Sequence, residues 1–213
     1  MGFMAFDSAR TAVLALHWQV NVIEPDGFFG PMLAEPVAAS GVVERAVAFH
    51  AAARKAGVPL VFTRFTIPVG EGGLVRNTGF MRSVAAAQTE FRPESPGSQI
   101  VPAMAEQAEQ GATFDNQKLS GLAGTALPDW LAARGVDTLL ITGVATNLTV
   151  EQTARHGTDL GFTVHPIADC VTAAAPEVHE ASLGNLELTT AGCLSAEQAL
   201  GELGALPDGP RPH

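Results

Sequence analysis

The segment Thr138–Gly161, TLLITGVATNLTVEQTARHGTDLG, most restricts what this chain can fold into. Its first part continues an apolar run, Val136–Thr142, that reads as a strand buried on both faces. The run breaks at Gly143 and passes almost at once into a helical pattern, Asn147–Gly161. A strand that turns directly into a helix is half of a crossover unit, and its partner strand must lie parallel to it.

The same alternation runs through the rest of the chain. Thr11–Leu16 reads as a buried strand, and the polar set His17, Trp18, Gln19 and Asn21 follows directly. Val37–Ala56 has helical spacing and stops at Gly57, Leu60–Thr63 is a second strand, and Ala112–Asn116 a third. Leu127–Arg134 is a helix ended by Gly135. Phe162–Pro166 is a fifth strand, Pro176–Thr189 a helix, and Cys193–Leu194 a short sixth strand before Ser195 caps a last helix. Between them, 64–99 is rich in Gly, Arg and Pro and predicts a long excursion with one short helix near Met81–Gln88. The predicted fold class is α/β: a doubly wound, mostly parallel sheet of about six strands with helices on both faces. One domain is expected over 1–206, with 207–213 as a frayed tail.

Composition narrows the function. A net charge of −10 with no long basic run disfavours nucleic acid. Apolar runs are too short to span a bilayer, and Met1–Arg10 lacks the pattern of a secretory signal, so a cytoplasmic protein acting on small molecules is expected. The two cysteines, Cys170 and Cys193, have no metal-ligand spacing and read as reduced core thiols. His50, His156, His165 and His179 show no two-His-plus-carboxylate pattern, and no GxGxxG follows the first strand; neither metal nor cofactor is predicted.

In open parallel sheets, ligands bind beyond the carboxyl ends of the strands. His17, Asn116, Lys118, Gly143 and the start of the Asn147 helix all fall at that edge. Unpaired N–H groups at this helix start suit a carbonyl oxygen that gains negative charge. Trp18, Phe28, Phe29, Phe65 and Phe80 are candidates to line an apolar cavity, and Arg64 to clamp a carboxylate.

Thr138–Gly161 resembles the isochorismatase-like hydrolase superfamily, which includes isochorismatases, nicotinamidases and N-carbamoylsarcosine amidohydrolases. Leu14–Gly27 (LALHWQVNVIEPDG) is similar to the family's first strand and its Asp-x-Gln-Asn-Asp-Phe motif. GSQIVP (97–102), SGLAGTAL (120–127), IADCV (167–171) and HEASLGNL (179–186) extend the match. Family amidases use an Asp, a Lys and a nucleophilic Cys, and isochorismatases keep the first two. Here the Asp position holds His17, and the Cys position holds Thr149. The register puts Asn116 in the Lys position, with Lys118 the nearest amine.

The resemblance therefore implies a rewired active site, with His17, Lys118 and Thr149 as catalytic candidates. Trp18, Gln19, Phe28, Arg64, Asn116, Val144, Ala145 and Leu148 are the candidate substrate contacts. His17 is a titratable base or acid, while Thr149 either takes part in chemistry or spends its hydroxyl on a backbone carbonyl or the helix start. A non-proline cis peptide at Val144–Ala145 is also implied, as is assembly into homodimers or homotetramers. Two functions are compatible with these residues: a divergent hydrolase of an amide, ester or enol ether without a Cys nucleophile, or an inactive homologue that binds a small molecule or serves as a scaffold.

Overall fold

The computed structural model describes residues 6–205; the tail expected at 207–213 lies outside them. Five strands form one sheet in the order β3-β2-β1-β4-β5: β1 (Thr11–Leu16), β2 (Leu60–Phe65), β3 (Ala112–Asn116), β4 (Thr138–Val144) and β5 (Thr163–Thr172). Every neighbouring pair is parallel.

The expected sixth strand is absent. Leu194 makes a single bridge to Ile167 and goes no further, because Ser195 at once caps the next helix with a reciprocal Ser195–Gln198 box. In turn β5 runs past Pro166 to Thr172, taking in IADCV.

Burial on both faces follows from strand alternation. Val13 and Ala15 of β1 join one core with Phe62, Leu140 and Ile167. Its cover comes from Leu33 and Val37 of α2 (Gly30–Ser40) and Ala46 and Phe49 of α3 (Val42–Lys55), behind the one-turn α1 (Val20–Ile23). Ala12, Leu14 and Leu16 join the opposite core with Val61, Leu139 and Ile141. That face is covered by α6 (Leu127–Ala132), α7 (Glu151–Asp159) and α8 (Pro176–Thr189). α9 (Ala196–Glu202) returns to the first face through Ala199.

The single helix expected over Val37–Ala56 is two. Gly41, at φ 63°, ends α2 and starts α3, a left-handed conformation that glycine adopts without steric cost. The excursion contains one α-helix, α4 (Gly79–Ala86), a 3-10 turn at Pro96–Ser98, and a third apolar cluster of Phe65, Ile67, Met81, Val84 and Phe91. α5 (Ala105–Glu109) precedes β3. Among the described residues no helix is long and apolar enough to cross a membrane.

Candidate active site

The strand order reverses at β1, whose neighbours are β2 and β4. Chains leaving β1 and β4 in opposite directions open a crevice at such a point. A narrow cavity of about 40 Å3 opens there. His17 reaches it from the end of β1, and Val144, Ala145, Leu148 and Thr149 from the end of β4. Val22, Met32, Leu33, Phe29, Phe65, Phe80, Val84, Phe91 and Leu119 complete the lining. Among these residues only His17 and Thr149 bring polar side chains.

His17 turns the chain sharply off the sheet at φ 55°, a region that His, Asn and Asp enter more readily than most side chains. Its N–H still donates to Thr63 O at 3.1 Å, which keeps the residue tied to β2. The ring is fixed by Asn116. Asn116 Nδ2 donates to Lys118 O at 2.5 Å, so Oδ1 faces His17 Nε2 at 3.0 Å. A carbonyl oxygen only accepts; His17 Nε2 therefore carries the proton, and the Nδ1 lone pair remains available. Burial lowers the His17 pKa to about 4, only partly opposed by the Asn116 hydrogen bond, and the imidazole is neutral at pH 7.

Thr149 is 2% exposed, and its hydroxyl has no hydrogen-bond partner among the described residues. It does not cap the helix start, as one expectation had it: Leu148 and Val150 N–H both go to Ala145 O, in a π-helical turn, Thr146–Val150, that precedes α7. Thr146 Oγ1 instead pairs with His179 Nδ1 of α8 at 2.9 Å, anchoring this turn. The Val144–Ala145 peptide is cis.

Several nominated residues stand elsewhere. Trp18 points into the first core, fully buried, with Nε1 3.3 Å from Thr142 Oγ1. Thr142 is shared with the buried His50, whose Nε2 lies 2.8 Å away, while His50 Nδ1 meets Gln107. This relay ties the segment after His17 to β4. Gln19 clamps the end of β2, accepting from Phe65 N–H at 2.6 Å and donating to Phe65 O and Ser98 O. Phe28 packs within the aromatic cluster at 4.8 Å from Phe29 rather than against the cavity.

Arg64 is bidentate to Asp115 and also reaches Gln99, in a separate groove along β2 and β3. β3 ends at Asn116, which removes the face that Lys118 was expected to share with it. The Lys118 amine lies against Gly124 in an open groove with Ser120, Gln152 and His156. Asn116 holds His17 and does not line the cavity. Neither cysteine lines it; burial raises Cys170 to about 12 and Cys193 to about 11. Among the described residues no cluster of three His, Cys, Asp or Glu groups could hold a metal.

Val22, Met32, Leu33, Val84, Phe91 and Leu119 line the cavity without having been nominated from the sequence. They come from separate segments, and no local pattern marks them. The only signal for such a wall is the density of phenylalanines on either side of the excursion.

A five-stranded parallel sheet with helices on both faces and a cavity at its switch point defines a doubly wound α/β protein. A family model described as the Isochorismatase domain matches residues 11–198, and the chain belongs to that family. It is similar to the ureidoacrylate amidohydrolase RutB of Methylobacterium radiotolerans, 29% identical over 195 residues that cover 86% of this chain and 76% of the relative. It is also similar in structure to a cysteine hydrolase from Pseudomonas syringae pv. phaseolicola 1448A: TM-score 0.81, 24% identity, covering 95% and 96% of the two chains, a likeness of fold alone. A putative hydrolase of the isochorismatase family from Chromobacterium violaceum gives TM-score 0.73 at 26% identity, covering 97% of this chain and 100% of its own.

Proposed function

We propose that this chain is a hydrolase of a small organic carbonyl compound, an amide or ester, that works without a cysteine nucleophile. The observation that carries the reading is that His17 and Thr149 are the two polar side chains of one cavity at the sheet's switch point. His17 Nδ1 takes the proton from an attacking water as its oxygen bonds to the carbonyl carbon, and returns it to the leaving nitrogen or oxygen when the C–N or C–O bond breaks. The Thr149 hydroxyl and the first-turn N–H groups not already bonded to Ala145 O hold the carbonyl oxygen as it becomes an oxyanion. The neutral state of His17 disfavours the enol-ether alternative, which needs a proton donor. Lys118, in the adjoining groove, has no part in this scheme. We place the protein in the cytoplasm, as a homodimer or homotetramer with no cofactor.

The relative named RutB is an amidohydrolase and the Pseudomonas protein a cysteine hydrolase; amide chemistry comes to this chain by that likeness, and the thiol does not. A second reading, a small-molecule-binding homologue without turnover, is favoured by one observation: the cavity lining contains no carboxylate and no thiol.

Turnover decides between them. Purified protein is assayed by mass spectrometry against neutral amides, esters and enol ethers, beside a Cys170→Ala/Cys193→Ala double variant. Hydrolysis of an amide or ester that persists in the double variant is the expected result. Loss of the rate with the cysteines, or no product from any compound, overturns the proposal, the latter in favour of the binding reading.

A further inference from the structure

The cavity lining bears on substrate class as well as on chemistry, on the premise that His17 and Thr149 form the hydrolytic site proposed for them. Its polar side chains are two, and both belong to the floor formed by the ends of β1 and β4. All other lining side chains are hydrocarbon or thioether, from α1, Phe29 and α2, the end of β2, α4, Phe91, Leu119, and the end of β4 with the turn after it. Phe29 and Phe80 stack at 5.6 Å, and Phe65 meets Phe91 edge to face at 5.5 Å, so aromatic faces and edges form much of the wall.

Among the described residues no charged side chain lines the cavity to pair with an ionic ligand. Arg64 is held by Asp115 and Gln99, Arg76 by Glu71, and Arg92 by the carbonyls of Ile67 and Pro68. None of them lines the cavity, and neither does Lys118. An ionised group taken from water into such a wall would lose its hydration without gaining a partner. Thr149, by contrast, lines the same space, and its buried hydroxyl has no partner among the described residues. Leaving a buried polar group unmatched is unfavourable, and a ligand oxygen or N–H would satisfy it.

We infer that the site takes an uncharged molecule with one polar head, an amide or ester group that meets Thr149 and His17, and a compact hydrocarbon body with no second polar or ionic group. The apolar walls exclude a substrate with a charged tail, and the floor supplies the only hydrogen-bonding contacts from side chains.

Calorimetric titration with benzamide and with 4-carboxybenzamide at pH 7 tests this, since the two share a head and differ in the charge on the body. Benzamide should bind, and the carboxylate analogue at least about tenfold more weakly. Thr149→Val, which keeps the shape and removes the hydroxyl, should weaken benzamide roughly fivefold or more, and Thr149→Ser should restore it. Equal or tighter binding of the charged analogue overturns the inference, as does a Thr149→Val protein that binds benzamide like the parent. No binding by benzamide or by the smaller isobutyramide also overturns it. Benzamide that binds as described and is never hydrolysed, with no other compound turned over, sinks the hydrolase reading alone. Turnover confined to charged acids sinks the substrate class and keeps the hydrolase.

Discussion

Replacing Gly143 with alanine should cost the fold about 4 kcal/mol or more, a large share of the roughly 5 to 15 kcal/mol by which domains are stable. Gly143 pairs with Leu16 across β1 and β4, at φ 145°. A Cβ there would lie 2.4 Å from Leu16 O and 2.8 Å from Leu16 Cβ. The first of these neighbours is backbone in the centre of the sheet, so it cannot swing aside; the two strands would have to part where His17 and Val144 leave them. Gly161 provides the comparison, because it also has positive φ, 94°, but open space around its missing side chain. Gly161→Ala should therefore lose only the conformational part, about 1 to 2 kcal/mol. Urea unfolding of both variants measures the difference, and equal losses would mean that the close approach of Leu16 has no energetic weight.

The second large effect is on turnover. His17→Asn keeps a residue suited to the left-handed turn and removes the base, and should lower the hydrolytic rate by roughly 10²-fold or more. Its pH dependence carries a sign. Burial holds the His17 pKa down at about 4, so the neutral, proton-accepting form persists at all pH values above that. The rate governed by His17 should be level from about pH 5 to 8 and fall as pH drops through about 4, the direction of a base being lost. A rate that rises through the same window would mark His17 as an acid and revive enol-ether chemistry.

Much of the sheet is legible in the residues because its strands are uninterrupted apolar runs that tolerate burial on both faces. Thr11–Leu16 begins and ends in the structure where its run does, and the mixed, partly exposed edge strand Ala112–Asn116 also keeps its expected bounds. The pattern fails where one residue decides. Gly41 sits at helical spacing and looks like an interior position, yet it separates α2 from α3. Leu194 looks like a strand, yet the cap at Ser195 ends it after one bridge.

At the site, His17 and Thr149 are locatable from the sequence because each follows a strand by a few residues, where chain direction leaves little freedom. Trp18 is not: whether it or its neighbour faces the cavity depends on the sharp turn at His17, and the structure sends it to Thr142 and the first core. Lys118 would share a face with Asn116 only in a longer β3 than the one that forms. The apolar wall depends on tertiary contacts such as Phe29 with Phe80, which bring distant segments together. No spacing within one segment encodes them.

Base catalysis by His17 requires a neutral ring with a free Nδ1 lone pair, and nitrogen-15 NMR of its imidazole observes that state directly. The predicted spectrum shows a neutral ring protonated on Nε2, unchanged from pH 7 to near its pKa of about 4, with an Nδ1 signal that moves when benzamide is added. A ring that titrates near its ordinary value of 6.5, or carries its proton on Nδ1 and ignores the amide, would contradict it.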